Sequence, residues 1–159
     1  MAESWEPAVV REIVMDTTRT LIGVAARSLG GARGDVTLAQ FRVLLLVDGR
    51  GPSTMGELAD ALDVGPSTLA RLCTVLVERR YLRRERAADN RRAVVDLTPH
   101  GRRLVDEVLR QRRSIIDDAL SRMTPEAQRR LGSSLGEFAE ALADSSGLAA
   151  TVDWSLPPD

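Results

Sequence analysis

Two stretches of the chain carry side chains suited to recognising a polyanion. Around Pro66-Ser67-Thr68-Leu69-Ala70-Arg71, the apolar residues Leu69, Leu72, Cys73 and Leu76 recur at i, i+3, i+4 and i+7. That spacing predicts a helix whose outer face presents Ser67, Thr68, Arg71, Thr74 and Glu78. A face so small and polar fits a DNA major groove. Ser67 and Thr68 are short donors near the helix N-terminus, where the positive dipole end attracts phosphate, and Arg71 one turn on can give a guanine two parallel hydrogen bonds. Farther along, Arg91 and Arg92 stand at the tip of an expected hairpin, where a long planar cation can enter a narrow minor groove. Asp89 can hold that tip by accepting from Arg91. Gln40, Thr54, Pro66 and Arg86 complete the expected DNA-facing set.

Covalent chemistry has far less material. One cysteine, Cys73, excludes an intramolecular disulfide, and with one histidine, His100, it cannot supply the four ligands of a structural zinc. There is no Gly-x-Ser-x-Gly elbow, no phosphate-cradling glycine loop and no Cys/His pair on one face, so neither an enzyme nor a bound cofactor is expected. Cys73 lies on the inward stripe and reads as core filler rather than a redox switch. His100 reads as a solvated residue at a helix start.

Net charge is −1 over 159 residues, but the average conceals a basic middle. Residues 64–103 hold ten arginines against four acids, a net +6, while the segments before and after carry −3 and −4. A basic band of this kind is the footprint expected for a nucleic-acid partner. All 22 basic residues are arginine, which genome composition explains equally well. No apolar run reaches the roughly 18–20 residues that span a bilayer, and the N-terminus lacks the basic flank and apolar stretch of a signal peptide. A cytoplasmic protein without membrane contact is expected.

The elements that must position these residues follow from periodicity and caps. A first helix is predicted over 6–29, with Val10, Ile13, Thr17, Leu21, Val24 and Ser28 on one face, ended by the glycines of residues 29–35. Thr37-Leu38-Ala39-Gln40 and Thr54-Met55-Gly56-Glu57 match the capping box and open helices over 38–48 and 55–62. Gly65 and Pro66 then start the Arg71 helix after a turn of three or four residues, the spacing of a helix-turn-helix. Two strands, 81–86 and 93–97, form the hairpin. Thr98-Pro99 and Thr124-Pro125 open two last helices, the first carrying Leu104, Val108, Gln111, Ile115 and Leu120 to about Arg122, the second with Leu131, Leu135, Phe138 and Leu142 inward. The order is mainly α with a small β-hairpin wing, and the tail after Gly147 is expected to fray. Trp5 and Trp154 lie near the two ends without an assigned role.

Asp89-Asn90-Arg91-Arg92, followed by Leu97-Thr98-Pro99-His100-Gly101, resembles the wing and Leu-Thr-x-x-Gly elements of the MarR (multiple antibiotic resistance regulator) family. Gly56-Glu57-Leu58-Ala59, the Arg71 helix and Leu82-Arg83-Arg84 occupy the places of that family's third helix, recognition helix and wing start. The resemblance implies one MarR-type domain over 1–159, a winged helix-turn-helix over 37–103 flanked by dimerisation helices over 6–29 and 99–145. It further implies a homodimer paired through Val10, Ile13, Leu21, Ile115, Leu131, Leu135, Phe138 and Leu142. Recognition helices would enter successive major grooves of double-stranded DNA, with Arg91 in the minor groove. Arg80 stands where that family usually has glycine, which implies a different helix ending or some strain. The expected function is transcriptional regulation, repression above all, at a pseudo-palindromic operator, with release governed by a small-molecule effector. The alternative is a winged-helix module that docks proteins without binding DNA.

Overall fold

A computed structural model describes residues 6–31, 35–86 and 93–146. Six helices and three short strands follow in the order α1 (Pro7–Gly31), α2 (Leu38–Arg50), β1 (Ser53–Thr54), α3 (Met55–Leu62), α4 (Pro66–Glu78), β2 (Leu82–Arg86), β3 (Ala93–Leu97), α5 (Pro99–Ser121) and α6 (Pro125–Ser146). Both capping boxes form. The Thr37 and Thr54 hydroxyls accept from the backbone N–H of Gln40 and Glu57, and those side chains accept in return from the Thr37 and Thr54 N–H groups.

The strands make an antiparallel sheet in the order β1-β3-β2. Leu82 pairs with Leu97 and Arg84 with Val95 across the hairpin, while Ser53 and Thr54 pair with Val95 and Val94. The core lies between this sheet and α2–α5, with Phe41, Leu44, Leu58, Leu69, Cys73, Leu76, Leu82, Val95 and Val108 buried together. Cys73 is fully inaccessible, and burial pushes its thiol pKa up, with the positive charge of Arg84 acting weakly the other way.

Three differences from the sequence reading have physical causes. Helix α1 continues through Gly30 and Gly31 instead of breaking at Leu29. Glycine costs about 1 kcal/mol per residue in a helix, but Gly31 packs against the Gln111 side chain of α5, where a Cβ would collide with Oε1. The two-residue strand β1, too short to show a period, exists because β3 offers it a free edge. His100 is exposed but not solvated all round: its ring stacks on Tyr81 with centroids 4.7 Å apart.

Helix α4 ends in the manner that glycine usually provides, although arginine occupies the position. Arg80 adopts the left-handed conformation, φ 61°. Its N–H donates to the Val77 carbonyl at 2.9 Å, and the Tyr81 N–H donates to the Leu76 carbonyl at 2.9 Å, the paired bonds of a Schellman motif. The expected different ending is therefore absent. A side chain in this region costs about 1–2 kcal/mol, which the buried Leu76 and Tyr81 side chains around the motif offset.

The carbonyl of Tyr81 then organises the next junction. It accepts from the Thr98 N–H at 3.0 Å, and the Thr98 hydroxyl donates to the adjacent Arg80 carbonyl at 2.5 Å while lying 3.2 Å from the Tyr81 oxygen. That hydroxyl in turn accepts from the Gly101 N–H at 3.0 Å, capping α5. Gly101 is buried directly against the Tyr81 carbonyl, so that a Cβ would overlap this backbone oxygen and the Leu97 side chain.

Opposite outcomes are expected for the two positions. Gly101→Ala forces backbone apart and should lower stability by about 2–3 kcal/mol, whereas Arg80→Gly should raise it by about 0.5–1 kcal/mol by relieving the left-handed strain. Urea unfolding at matched protein concentration measures both, and a neutral Gly101→Ala would contradict the packing described. Cys73 should label slowly with a thiol reagent until denaturant is added; rapid native labelling would show that the α4 stripe opens.

Candidate nucleic-acid interface

The turn between α3 and α4 is built by local backbone preferences. Asp63 takes the left-handed conformation, φ 52°, which its short polar side chain tolerates, and the Val64 N–H donates to the Ala59 carbonyl at 3.1 Å. Gly65 caps α4 through its backbone alone, its carbonyl accepting from Thr68 and Leu69 N–H groups at 3.0 and 3.1 Å. Pro66 at the first helical position contributes no N–H. The N-terminus of α4 is thus left without a side-chain cap, open to an external acceptor, at an exposed point of the surface.

Leu69, Cys73 and Leu76 anchor α4 in the core, with Leu72 and Val77 half-buried against it. The outward stripe is Ser67, Arg71, Thr74 and Glu78, all exposed, with Thr68 half-buried beside it. The Thr74 hydroxyl donates to the Ala70 carbonyl of its own helix at 2.8 Å. Ser67 and Arg71 therefore carry the donors of this stripe that point away from the protein.

The remaining expected residues divide. Gln40 is buried and its Oε1 accepts from the Thr37 N–H, so it serves the cap of α2 and does not lie on the surface. Thr54 is half-buried, its hydroxyl donating to Glu57 at 2.8 Å, which gives it the same local duty at α3. Pro66 is exposed at the start of α4. Arg86 is exposed at the far end of β2, opposite Ala93 at the root of the hairpin tip. Asp89, Arg91 and Arg92 lie outside the described residues, as do Trp5 and Trp154.

An ion-pair clamp at the wing root went unread in the sequence. The Arg83 guanidinium donates to Asp96 at 2.7 Å and meets Glu85 at 2.9 Å, and Asp96, nearly buried, also accepts from the Leu97 N–H at 2.8 Å. The hydrogen bond to Asp96 holds the Arg83 pKa above its ordinary value. Cross-strand register would have signalled the clamp, since Arg83 stands directly opposite Asp96. On α5, Arg102 pairs with Asp48 of α2 at 2.9 Å. Burial pushes the Asp48 carboxyl pKa up, with Arg102 pulling it down and Asp106 adding to the rise. Among the described residues there is no cluster of His, Cys, Asp and Glu that could hold a metal ion, and no helix is long and apolar enough to cross a membrane.

The helices expected to pair show the opposite character to α4. Val10, Ile13 and Leu21 on α1, and Leu131, Leu135, Phe138 and Leu142 on α6, are between 37% and 53% exposed. The last four were expected to point inward, yet none of them is buried, and α6 has no buried residue among its described side chains. Ile115 is half-buried on α5 and its neighbour Ile116 is exposed.

Comparison with known proteins agrees with this geometry. Residues 34–93 match the model of the MarR family. An uncharacterised HTH-type transcriptional regulator of Bacillus subtilis, YhbI, is 26% identical over 153 residues, covering 92% of this chain and 99% of that protein. The crystal structure of RV1404 from Mycobacterium tuberculosis superposes with a TM-score of 0.82 at 28% identity, over 89% of this chain and 97% of that one. Streptococcus pneumoniae FabT, crystallised in complex with DNA, shares the fold with a TM-score of 0.75 at 19% identity, over 89% of this chain and all of that one. Residues 34–93 are thus similar to the MarR family model, and the chain as a whole is similar in fold to these solved structures.

Proposed function

We propose that the chain is a DNA-binding transcriptional regulator, acting as a cytoplasmic repressor that occupies a pseudo-palindromic operator as a homodimer. The observation that carries this reading is the outward stripe of α4. A helix anchored by three buried side chains presents Ser67 and Arg71 beside an N-terminus that has no side-chain cap, on the second helix of a helix-turn-helix. Ser67 and the open N-terminus suit phosphate, and Arg71 suits a guanine edge. The surrounding band of +6 over residues 64–103 supplies the field that draws DNA in. FabT, of the same fold, is a protein seen with DNA bound.

Pairing is supported by the apolar faces of α1 and α6. A helix with no buried residue among its described side chains lacks its main support, since most helical stability in proteins comes from packing an apolar face. A second copy of the chain supplies such a face by symmetry. In this reading residues 37–103 form the DNA-binding unit and the helices within 6–29 and 99–145 pair. The two Arg71 helices then lie about one turn of the duplex apart, with Arg91 reaching the minor groove. A small molecule bound between the pairing helices and the winged unit would change that spacing and release the DNA.

Selection from a random-sequence pool, followed by titration of the selected and a scrambled duplex, tests the reading. Sedimentation of the complex should show two 17.3 kDa protomers per duplex. Arg71→Ala should cost about 1–3 kcal/mol on the selected site and less on the scrambled one. Failure of the wild-type protein to bind any duplex would overturn the assignment and favour a protein-docking winged helix.

A further inference from the structure

Where the wing strands meet the first turns of α5, a groove of about 470 Å³ opens on the surface. Leu97 and Pro99 give it apolar walls, and five charged side chains line the rest. Three of the five are already answered. Arg83 is held by Asp96 and Glu85, and Arg102 by Asp48. Both oxygens of Asp96 are engaged, one by Arg83 and the other by the Leu97 N–H. Arg103 and Asp106 are different: both are exposed in the lining of this groove, and among the described residues neither has an ion-pair partner. Although they stand one turn apart on α5, they do not close on each other. The i,i+3 pairs that do close, Asp16 with Arg19, Glu107 with Arg110 and Glu126 with Arg129, all place the acid before the arginine. Arg103 and Asp106 have the reverse order, which is the less favourable one on a helix.

We propose that this groove is a binding site for an aliphatic α-amino acid, whose carboxylate accepts from the Arg103 guanidinium while its ammonium donates to Asp106. A zwitterion fits better than an ion of either sign. A lone anion would meet Asp96 and Asp106, and a lone cation would meet three guanidiniums, whereas opposite charges on neighbouring atoms answer both unpaired groups at once. Leu97 and Pro99 suit an apolar side chain, and the volume lies within the range of about 300–1,000 Å³ usual for small-molecule sites. The walls are held without a ligand, by Arg83 with Asp96 across the wing and by Arg102 with Asp48 between α5 and α2. Binding at this groove does not depend on the DNA reading above.

Calorimetric titration of the full chain with L-leucine at neutral pH measures the site directly, and one leucine per protomer should bind saturably. Leucinamide, which lacks the carboxylate, and N-acetyl-leucine, which lacks the ammonium, should each bind about tenfold or more weakly than leucine. Arg103→Gln should lower the affinity for leucine by a similar factor and leave that for leucinamide unchanged. Asp106→Asn should lower the affinity for leucine and leave that for N-acetyl-leucine unchanged. Neither substitution should move the urea unfolding midpoint, because both side chains are exposed. Absence of saturable leucine binding to the wild-type protein would overturn the assignment. So would full affinity for N-acetyl-leucine, the mark of a simple anion site, or full affinity for leucinamide, the mark of a simple cation site. Equal losses for leucine and for both analogues in a variant would show that the substituted residue acts through the fold and not by touching the ligand, which would overturn its role. The analogue comparison on the wild-type protein decides the matter even where a variant fails to fold, and none of these outcomes bears on duplex binding.

Discussion

A single backbone oxygen, the carbonyl of Tyr81, is the point on which the arrangement of this molecule depends. It follows the left-handed turn at Arg80 that ends α4, and it accepts from the Thr98 N–H at the end of β3, while the Thr98 hydroxyl donates to the neighbouring Arg80 carbonyl. Gly101, one turn into α5, lies against it where no side chain would fit. The end of α4, the start of β2, the end of β3 and the start of α5 are thereby tied within a few residues. The Tyr81 ring closes the junction by stacking on His100. Because α5 runs on from this point, the direction of α4 is set relative to the helix that leads to the exposed apolar stripe of α6. Neither a longer loop nor a Cβ at Gly101 would preserve that angle, since a packed junction repositions whole elements instead of yielding locally.

The arginines sort into those that hold the fold and those that face outward. Arg83 ties the two wing strands through Asp96, and Arg102 ties α5 to α2 through Asp48. Arg112 does related work without a carboxylate: it lies 5.8 Å over the Phe41 ring of α2 and donates to Ser28 of α1 at 3.4 Å, and burial pushes its pKa down. One residue of α5 thus touches both the winged unit and the first helix. The exposed pairs on α1, α5 and α6, such as Arg19 with Asp16 and Arg129 with Glu126, are solvated neighbours of the kind that contribute little. Arg71 and Arg84 also face outward, and no carboxylate pairs with either among the described residues.

The distribution of apolar surface points to a division of labour. The core lies within the winged unit and the first half of α5, whereas α6 and most of α1 expose their apolar stripes. The core of the winged unit is completed by Leu29 of α1 and by Leu104, Val105 and Val108 of α5.

How much of this was legible in the sequence follows from the range of the forces involved. Helix starts at Thr37, Thr54, Thr98 and Pro66 were readable because a cap satisfies backbone donors within three residues of itself, and the buried stripe of α4 was readable because a helix repeats on its own period. The family resemblance rested on equally local motifs, and so did the outward position of Ser67 and Arg71. Tertiary structure decided what depends on distant partners. Gly101 is required by a carbonyl twenty residues earlier, strand β1 exists only because β3 has an edge for it, and α1 crosses two glycines because α5 packs there. Gln40, read as an interface residue, turned out to be consumed by its own cap beneath the surface. The difference between Arg83 and Arg84 is of the same kind: adjacent and chemically identical, they are separated only by strand register, which places one opposite Asp96 and the other opposite Val95. Register is set by the pairing of whole strands against a core, and a single sequence contains no local term that encodes it.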